Sequence, residues 1–279
     1  MKTNFTLSHP WIDSLKVRYD LDSLIFINEE LAFYKKDNTL KCQSFFNFDL
    51  KDSDLEKIAK LIDNGFTFDY KYIDNDSLFQ TLNEFAERNK YKLKINDEWD
   101  APILNVKNIE EYLKNNKCTQ VVRNYKKYIK NKDLYKFELS NKSNVFKLWT
   151  DVLDIDYNSW KKHDKSDMKS LDREDLQYVF YLIENDENAS LLVMYDNDMP
   201  CGYSLMFRSD KNSEWYQVKW GASEYGRTIY AGIYTLFHHM MELNKNESQL
   251  KIDFWGRRSR VYDYLKTDEK KRMHIELGK

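Results

Sequence analysis

Among the charged residues of one stretch, Glu214 to Lys266, are two carboxylates and three guanidinium groups placed where they suit chemistry. Glu224 sits on a polar loop and Asp253 at the end of a strand-like run, where a carboxylate can take a proton from a reacting group. Arg227, Arg257 and Arg258 are of the type that clamps phosphates through paired N–H donors. Plainer uses stand beside these. Glu224 suits a solvated loop residue, and Asp253 suits a cap or an ion pair with Arg257 or Arg258. His238 and His239 are the right type for a base, but both fall mid-helix, where packing competes. Trp160, Trp220 and Trp255 would wall an acceptor cleft or fill a core.

The elements that must hold these groups are legible in the same stretch. Trp215, Gln217 and Lys219 alternate with Tyr216, Val218 and Trp220, a period of two that predicts a strand. A polar loop with Gly221, Gly226 and Gly232 follows. Ile233, Leu236, Phe237, Met240 and Leu243 then recur at helical steps, predicting an amphipathic helix from about Gly232. Leu250 to Trp255 reads as a second strand, stopped by Gly256. A helix entered from such a loop turns unpaired N–H groups and a positive dipole end outward, a ready anion site. Most strand–loop–helix–strand units bind no phosphate there, so the pattern is weak by itself.

Composition narrows the classes. A chain of 279 residues fits one large or two small domains, and 42% hydrophobic residues supply a sizeable core. Lys+Arg 44 against Asp+Glu 46 leaves a net charge of -2, so DNA is not an expected partner and no general attraction to nucleic acid follows. Cys42, Cys118 and Cys201 are far apart and odd in number. They fit reduced thiols in a cytoplasmic setting rather than a metal site or disulfide framework. No signal peptide or membrane span is expected, and neither Gly-x-Ser-x-Gly nor a His/Cys ligand set is present.

Taken in order, residues 21–49 read as strands with Asp37-Asn38 as a turn. A helix over Leu55–Ile62 follows, then a strand 66–73, a helix over Leu78–Ala86 and a strand 91–95. Pro102 and Asn105–Asn108 mark a boundary. Helices 109–115 and 119–132 follow, the second with Arg123, Lys126, Lys127, Lys130 and Lys132, several of them gathered on one side by three-to-four spacing. That face is either simply solvated or meets an acidic partner such as a cofactor phosphate or an RNA backbone. From residue 134 the expected order is β, α, α, β, β, β, α, β, α, β, including a helix 171–184 and a hairpin 189–196/201–209.

That order, with certain residues in it, resembles the GNAT acyltransferase superfamily and, more narrowly, its FemAB/CelD-like (BioF2-like) branch. The likeness is carried by Ser159-Trp160-Lys161 at a helix end and by Pro200-Cys201-Gly202 on a return strand. Tyr230-Ala231-Gly232 stands where the family has Ser-Pro-Gly, and Asp253-Phe254-Trp255-Gly256 at the strand end. It covers roughly residues 100–279, and the first hundred in outline. The resemblance implies an α/β (α+β) fold, a GNAT-like mixed sheet flanked by helices in two tandem halves. Residues 1–107 would form a reduced half, 108–132 connecting helices, and 133–279 the full domain.

It also implies an N-acyltransferase without metal, moving an acyl group from acyl-CoA or an acyl carrier protein to an amine of a small molecule or sugar. Asp253 and Glu224 would be bases and Tyr262 the acid for the leaving group. Arg227, Thr228, Ala231, Gly232, Ile233, Arg257 and Arg258 would hold the donor, and Trp160, Lys161, Trp220 and Trp255 the acceptor. Two departures stand out. The family's Tyr-Lys pair reads Tyr262-Asp263 here, and Arg227 and Gly232 alone echo the usual phosphate loop. The FemX-like branch, with an aminoacyl-tRNA donor, is an alternative that the basic helix favours. A non-catalytic binding protein that kept the fold is another.

Overall fold

The computed structural model describes residues 21–28, 31–42, 50–74, 77–161, 189–208, 214–254 and 260–279. The chain divides into two compact units, Met1–Ala101 with Glu269–Lys279, and Pro102–Asp268. The boundary between the units falls at 101/102. Helices 109–132 belong to the second unit, and the closing strand returns to the first. That return is a sheet-pairing event between residues some 200 apart, which no local pattern announces.

The first unit holds the strands β1 Leu24–Phe26, β2 Ala32–Lys36, β3 Thr39–Cys42 and β4 Thr67–Asp74, with β5 Lys92–Val106 as far as Ala101 and β11 Asp268–Gly278 from Glu269. They lie in the order β1-β2-β3-β4-β11-β5. Asp37 adopts φ 55° in the β2–β3 turn, which an aspartate tolerates better than most side chains. Helix α1 (Asp52–Asp63) ends at Asn64 and Gly65, the latter at φ 90°, as the Asn-Gly pair predicts. With α2 (Ser77–Asn89) it covers Phe33, Phe68, Tyr70 and Ile275, all buried. Strand β5 is longer than expected and runs through Pro102. Proline has no N–H to give a ladder, but its carbonyl still accepts from Phe254 N–H at 3.1 Å.

The second unit orders its strands β5-β10-β9-β8-β7-β6, where β6 is Lys136–Leu139, β7 Ala189–Asp196, β8 Met199–Arg208, β9 Trp215–Ala222 and β10 Leu250–Asp253. All neighbours are antiparallel except β9 and β10. The β7–β8 hairpin turns on Asn197 and Asp198, both at positive φ, a backbone that these two residues tolerate. The remaining helices are α3 Ile109–Lys114, α4 Thr119–Asn131, α5 Val145–Lys161, α6 Glu224–Thr228, α7 Ala231–Asn244 and α8 Arg260–Leu265. The sequence reading left Glu224–Thr228 as loop. It forms a short helix because Ser223 accepts from Gly226 N–H at 3.0 Å, a side-chain cap. The helix expected at 171–184 lies outside the described residues.

Helix α7 is buried along most of its length and packs on one sheet face with α3 and α4, while α5 takes the other face. The core on the α7 side joins Leu104, Tyr128, Met206, Phe237, Met240 and Ile252. No helix among the described residues is long and apolar enough to cross a membrane.

Candidate functional site

Strand β9 does not keep the plain alternation read from its sequence. Its ladder with β8 pairs Met206 with Gln217 but Leu205 with Lys219, so Val218 is an extra residue. Such a bulge flips the facing of everything beyond it and sharpens the twist. Gln217 therefore shares the α7 face with Trp220, and Lys219 turns to the α5 face. Strand β10 pairs with β9 only at Ile252–Trp215 and Asp253–Tyr216, before the bulge. Beyond it β9 stays bonded to β8 as far as Ala222. The two parallel strands part at that point, leaving one edge of residues 217–222 without a strand partner among the described residues.

The N-terminus of α7 lies beside the parted strands. A Cβ on Gly232 would come within 2.9 Å of the Trp220 ring, so only glycine lets the helix start approach this closely. Tyr230 precedes the helix in the left-handed region, φ 65°, with no side-chain cap for the first N–H groups. Ala231 and Ile233 are buried there. Glu224, Arg227 and Thr228 are exposed on α6, and the Thr228 hydroxyl donates to Tyr225 O at 2.7 Å.

Trp220 leads to Tyr262 on α8. The Trp220 and Tyr262 ring centres lie 6.2 Å apart, and the Tyr262 ring stacks on Phe254 at 4.5 Å. Burial pushes the Tyr262 hydroxyl pKa well up, against a smaller lowering by Trp220, so the phenol keeps its proton. Asp253 is buried, 1% exposed, at the end of β10. Gly232, Trp220 and Tyr262 thus gather on the α7 face where β9 and β10 part, while Asp253 ends β10 and alternates with the core-facing Ile252. Trp255, Arg257 and Arg258 lie outside the described residues. Trp160 and Lys161 close the last turn of α5, where the backbone alone is described.

Both histidines have packing partners. His238 stacks on Phe137 at 4.0 Å and meets the Tyr128 hydroxyl at 2.8 Å. His239 is fully buried. Its Nε2 lies 2.8 Å from Ser190 Oγ and its Nδ1 2.9 Å from Ser204 Oγ. Ser204 in turn donates to Gln217 Oε1 at 3.4 Å, so the compatible tautomer carries its proton on Nδ1. Gln217 Nε2 then donates to Leu205 O at 3.0 Å and Lys219 O at 2.8 Å, carbonyls that flank the bulge. Burial pushes the His239 pKa down to about 3, with a smaller push from His238. This histidine supports the bulge and is a poor base at neutral pH.

A cluster that the sequence reading missed lies on the opposite face. Asp156 of α5, buried at 5% exposure, accepts from the Tyr203 hydroxyl at 2.8 Å and from Lys219 Nζ. Gly221 makes this possible, because a Cβ there would sit 2.7 Å from the Tyr203 ring. One signal was present: Asp156 continues the apolar stripe of Leu148, Trp149, Val152 and Ile155, an odd place for a carboxylate.

The basic helix α4 behaves as its spacing predicts. Val121, Tyr125 and Tyr128 are buried, while Thr119, Val122, Arg123, Lys126, Lys127 and Lys130 line an open cavity of about 380 Å³. Lys127 Nζ lies 4.6 Å from the Tyr230 ring centre, which brings this face to the entrance of α7. No cluster of metal-binding type occurs among the described residues.

No protein-family model and no curated protein matches the chain. Solved structures do. A conserved protein of unknown function from Bacteroides thetaiotaomicron is similar over 99% of this chain and 92% of its own, at 12% identity and TM-score 0.61. L-PGS from Bacillus licheniformis is similar over 92% and 83%, at 10% identity and TM-score 0.58. FemX is similar over 96% and 90%, at 12% identity and TM-score 0.53. At these identities the likeness concerns the fold alone.

Proposed function

We propose that this chain is an acyltransferase, moving a carboxyl-derived group from a thioester donor, acyl-CoA or an acyl carrier, to an amine of a small molecule or sugar. One observation carries the reading: β9 parts from β10 at the Val218 bulge beside the uncapped start of α7. A parted strand offers backbone donors and acceptors to an extended carrier arm, and the helix start suits its phosphates. The similarity to FemX and L-PGS supports a transferase fold.

In this reading the amine nitrogen attacks the carbonyl carbon, the tetrahedral intermediate collapses, and the carbon–sulfur bond breaks. Tyr262, protonated and close to the parted strands, returns a proton to the leaving thiolate. Asp253 and Glu224 are the candidates to receive the amine's proton. Ala231, Gly232 and Ile233 supply the helix start, Arg227 and Thr228 its approach, and Arg257 and Arg258 further donor contacts. Trp220, with Trp160, Lys161 and Trp255, would border the acceptor.

Melting of the chain in the presence of CoA and a series of acyl-CoAs tests this. Saturating donor at a hundred times its dissociation constant stabilises by about 2.7 kcal/mol, a rise of several degrees. Deleting Val218 leaves every later side chain on its present face but removes the extra residue. The deletion variant is expected to fold and to lose the donor shift. Wild-type melting that no donor moves overturns the thioester reading.

A second reading, an aminoacyl-tRNA donor, is favoured by the α4 face. Arg123, Lys126, Lys127 and Lys130 line one cavity, and Lys127 lies over the Tyr230 ring at the start of α7. Binding of charged tRNA that weakens steeply with salt, and more so in Lys126→Ala, would select it.

A further inference from the structure

The Asp156–Tyr203–Lys219 cluster has no part in the transfer steps above, yet its construction is costly. Removing a carboxylate and an ammonium from water commonly costs as much as their attraction returns, so stability alone is a poor reason for such a pair. Three elements converge on it: α5 with Asp156, β8 with Tyr203, and β9 with Lys219. The arrangement has a front and a back. The Asp156 side chain is 7% exposed and that of Lys219 29%, so the carboxylate is the enclosed partner and the lysine the more open one. Tyr203 occupies Oδ1 of Asp156 and Lys219 occupies Oδ2, which holds the carboxylate in place. An ammonium has three N–H donors. Among the described residues, Asp156 is the hydrogen-bond partner of Lys219 Nζ and uses one of the three donors.

Its place in the strand matters as much. Lys219 follows the bulge directly, on the length of β9 that β10 no longer covers, and the bulge turns it to the α5 face. Trp220, the next residue, turns to the α7 face and meets Tyr262. A fixed cation and a protonated phenol therefore stand on opposite faces of the same parted strand.

We propose that Lys219, held by Asp156 and Tyr203, is an anion-recognition group on the acceptor side of the site, so that the acceptor is an amine carrying an acid group, a carboxylate or a phosphate. The proposal rests on the acyl-transfer reading for the word acceptor, and on this cluster alone for the anion. Asp156 and Tyr203 are positioning residues, and Lys219 makes the contact.

The test uses the full chain and three probes followed by NMR titration of β9 amide signals: β-alanine, inorganic phosphate and ethylamine. The expected result is saturable binding of β-alanine or of phosphate, whichever acid group the site takes, and none of ethylamine. Lys219→Met should weaken that binding by about tenfold or more, and Lys219→Arg should retain most of it. Since Lys219→Met leaves Asp156 buried without its ammonium, the double variant Lys219→Met/Asp156→Asn removes both charges and serves if the single one unfolds. Wild type that binds neither acid, or variants that bind as wild type does, overturns the proposal. So does ethylamine binding as strongly as β-alanine. Donor melting shifts measured on the same proteins separate the two readings. Shifts without anion binding leave the transferase and remove the role of Lys219, whereas anion binding at Lys219 without shifts does the reverse.

Discussion

Two buried polar clusters sit on opposite faces of the second unit's sheet, two strands apart at most, and they are built to different ends. On the α7 face, His239 links Ser190 and Ser204, Ser204 reaches Gln217, and Gln217 ties down two carbonyls at the bulge. Every donor in that chain ends on an acceptor, and His239 is 0% exposed. On the α5 face, Asp156 is buried at 5% exposure, but the side chain of its partner Lys219 is 29% exposed. The difference teaches that a buried histidine beside two serines is not a site in itself. A closed network shapes the backbone, and an open one has something left to offer a ligand.

Substitutions can break this contrast. The largest effect is expected from His239→Ala. It removes a fully packed ring, the acceptor of the Ser190 hydroxyl and the donor to Ser204, a loss of about 4 kcal/mol in urea unfolding. A loss below about 1 kcal/mol would mean that the closed cluster does not support the bulge.

The pH dependence sharpens the same point. The folded His239 pKa lies at about 3, below the ordinary histidine value of 6.5, because burial disfavours the charged ring. The unfolded chain therefore takes up a proton first. The stability from neutral His239 is complete above pH 6.5 and drains away as the pH falls toward 3. Between pH 6.5 and 5 the wild type should lose about 2 kcal/mol more than His239→Gln, which cannot titrate. Equal losses in the two proteins would show that His239 is not held neutral.

The smallest expected effect comes from the open cluster. Gly221→Ala pushes on the Tyr203 ring, which has little room to yield, at about 1.5 kcal/mol. It should weaken anion binding at Lys219 while leaving the His239-dependent pH slope unchanged. A variant that altered the slope would show that the two clusters are coupled through the sheet.

Several elements were legible from residue order because their causes are local. The α4 stripe, the Asn64-Gly65 stop, the Asn197-Asp198 turn and the start of α7 near Gly232 each follow from spacing, φ preference or side-chain bulk. Tyr262, Trp220 and Gly232 were named on resemblance and do meet around the parted strands. Asp156 and Lys219 were not named, since an aspartate on a helix and a lysine on a strand read as solvated until their facing is known. The alternation read through Val218 also concealed the reversal that turns Lys219 to the α5 face.

What the sequence determined by itself was the alternation of strands and helices, a core of aromatic and aliphatic stripes, and the glycines at close approaches. These depend on neighbours within a turn or two. The tertiary structure alone decided that Glu269–Lys279 joins the first unit, that β9 carries an extra residue, and that β10 ends before it. Those outcomes depend on which distant strand offers hydrogen bonds, and on whether Gln217 is at hand to satisfy the carbonyls that a bulge leaves over.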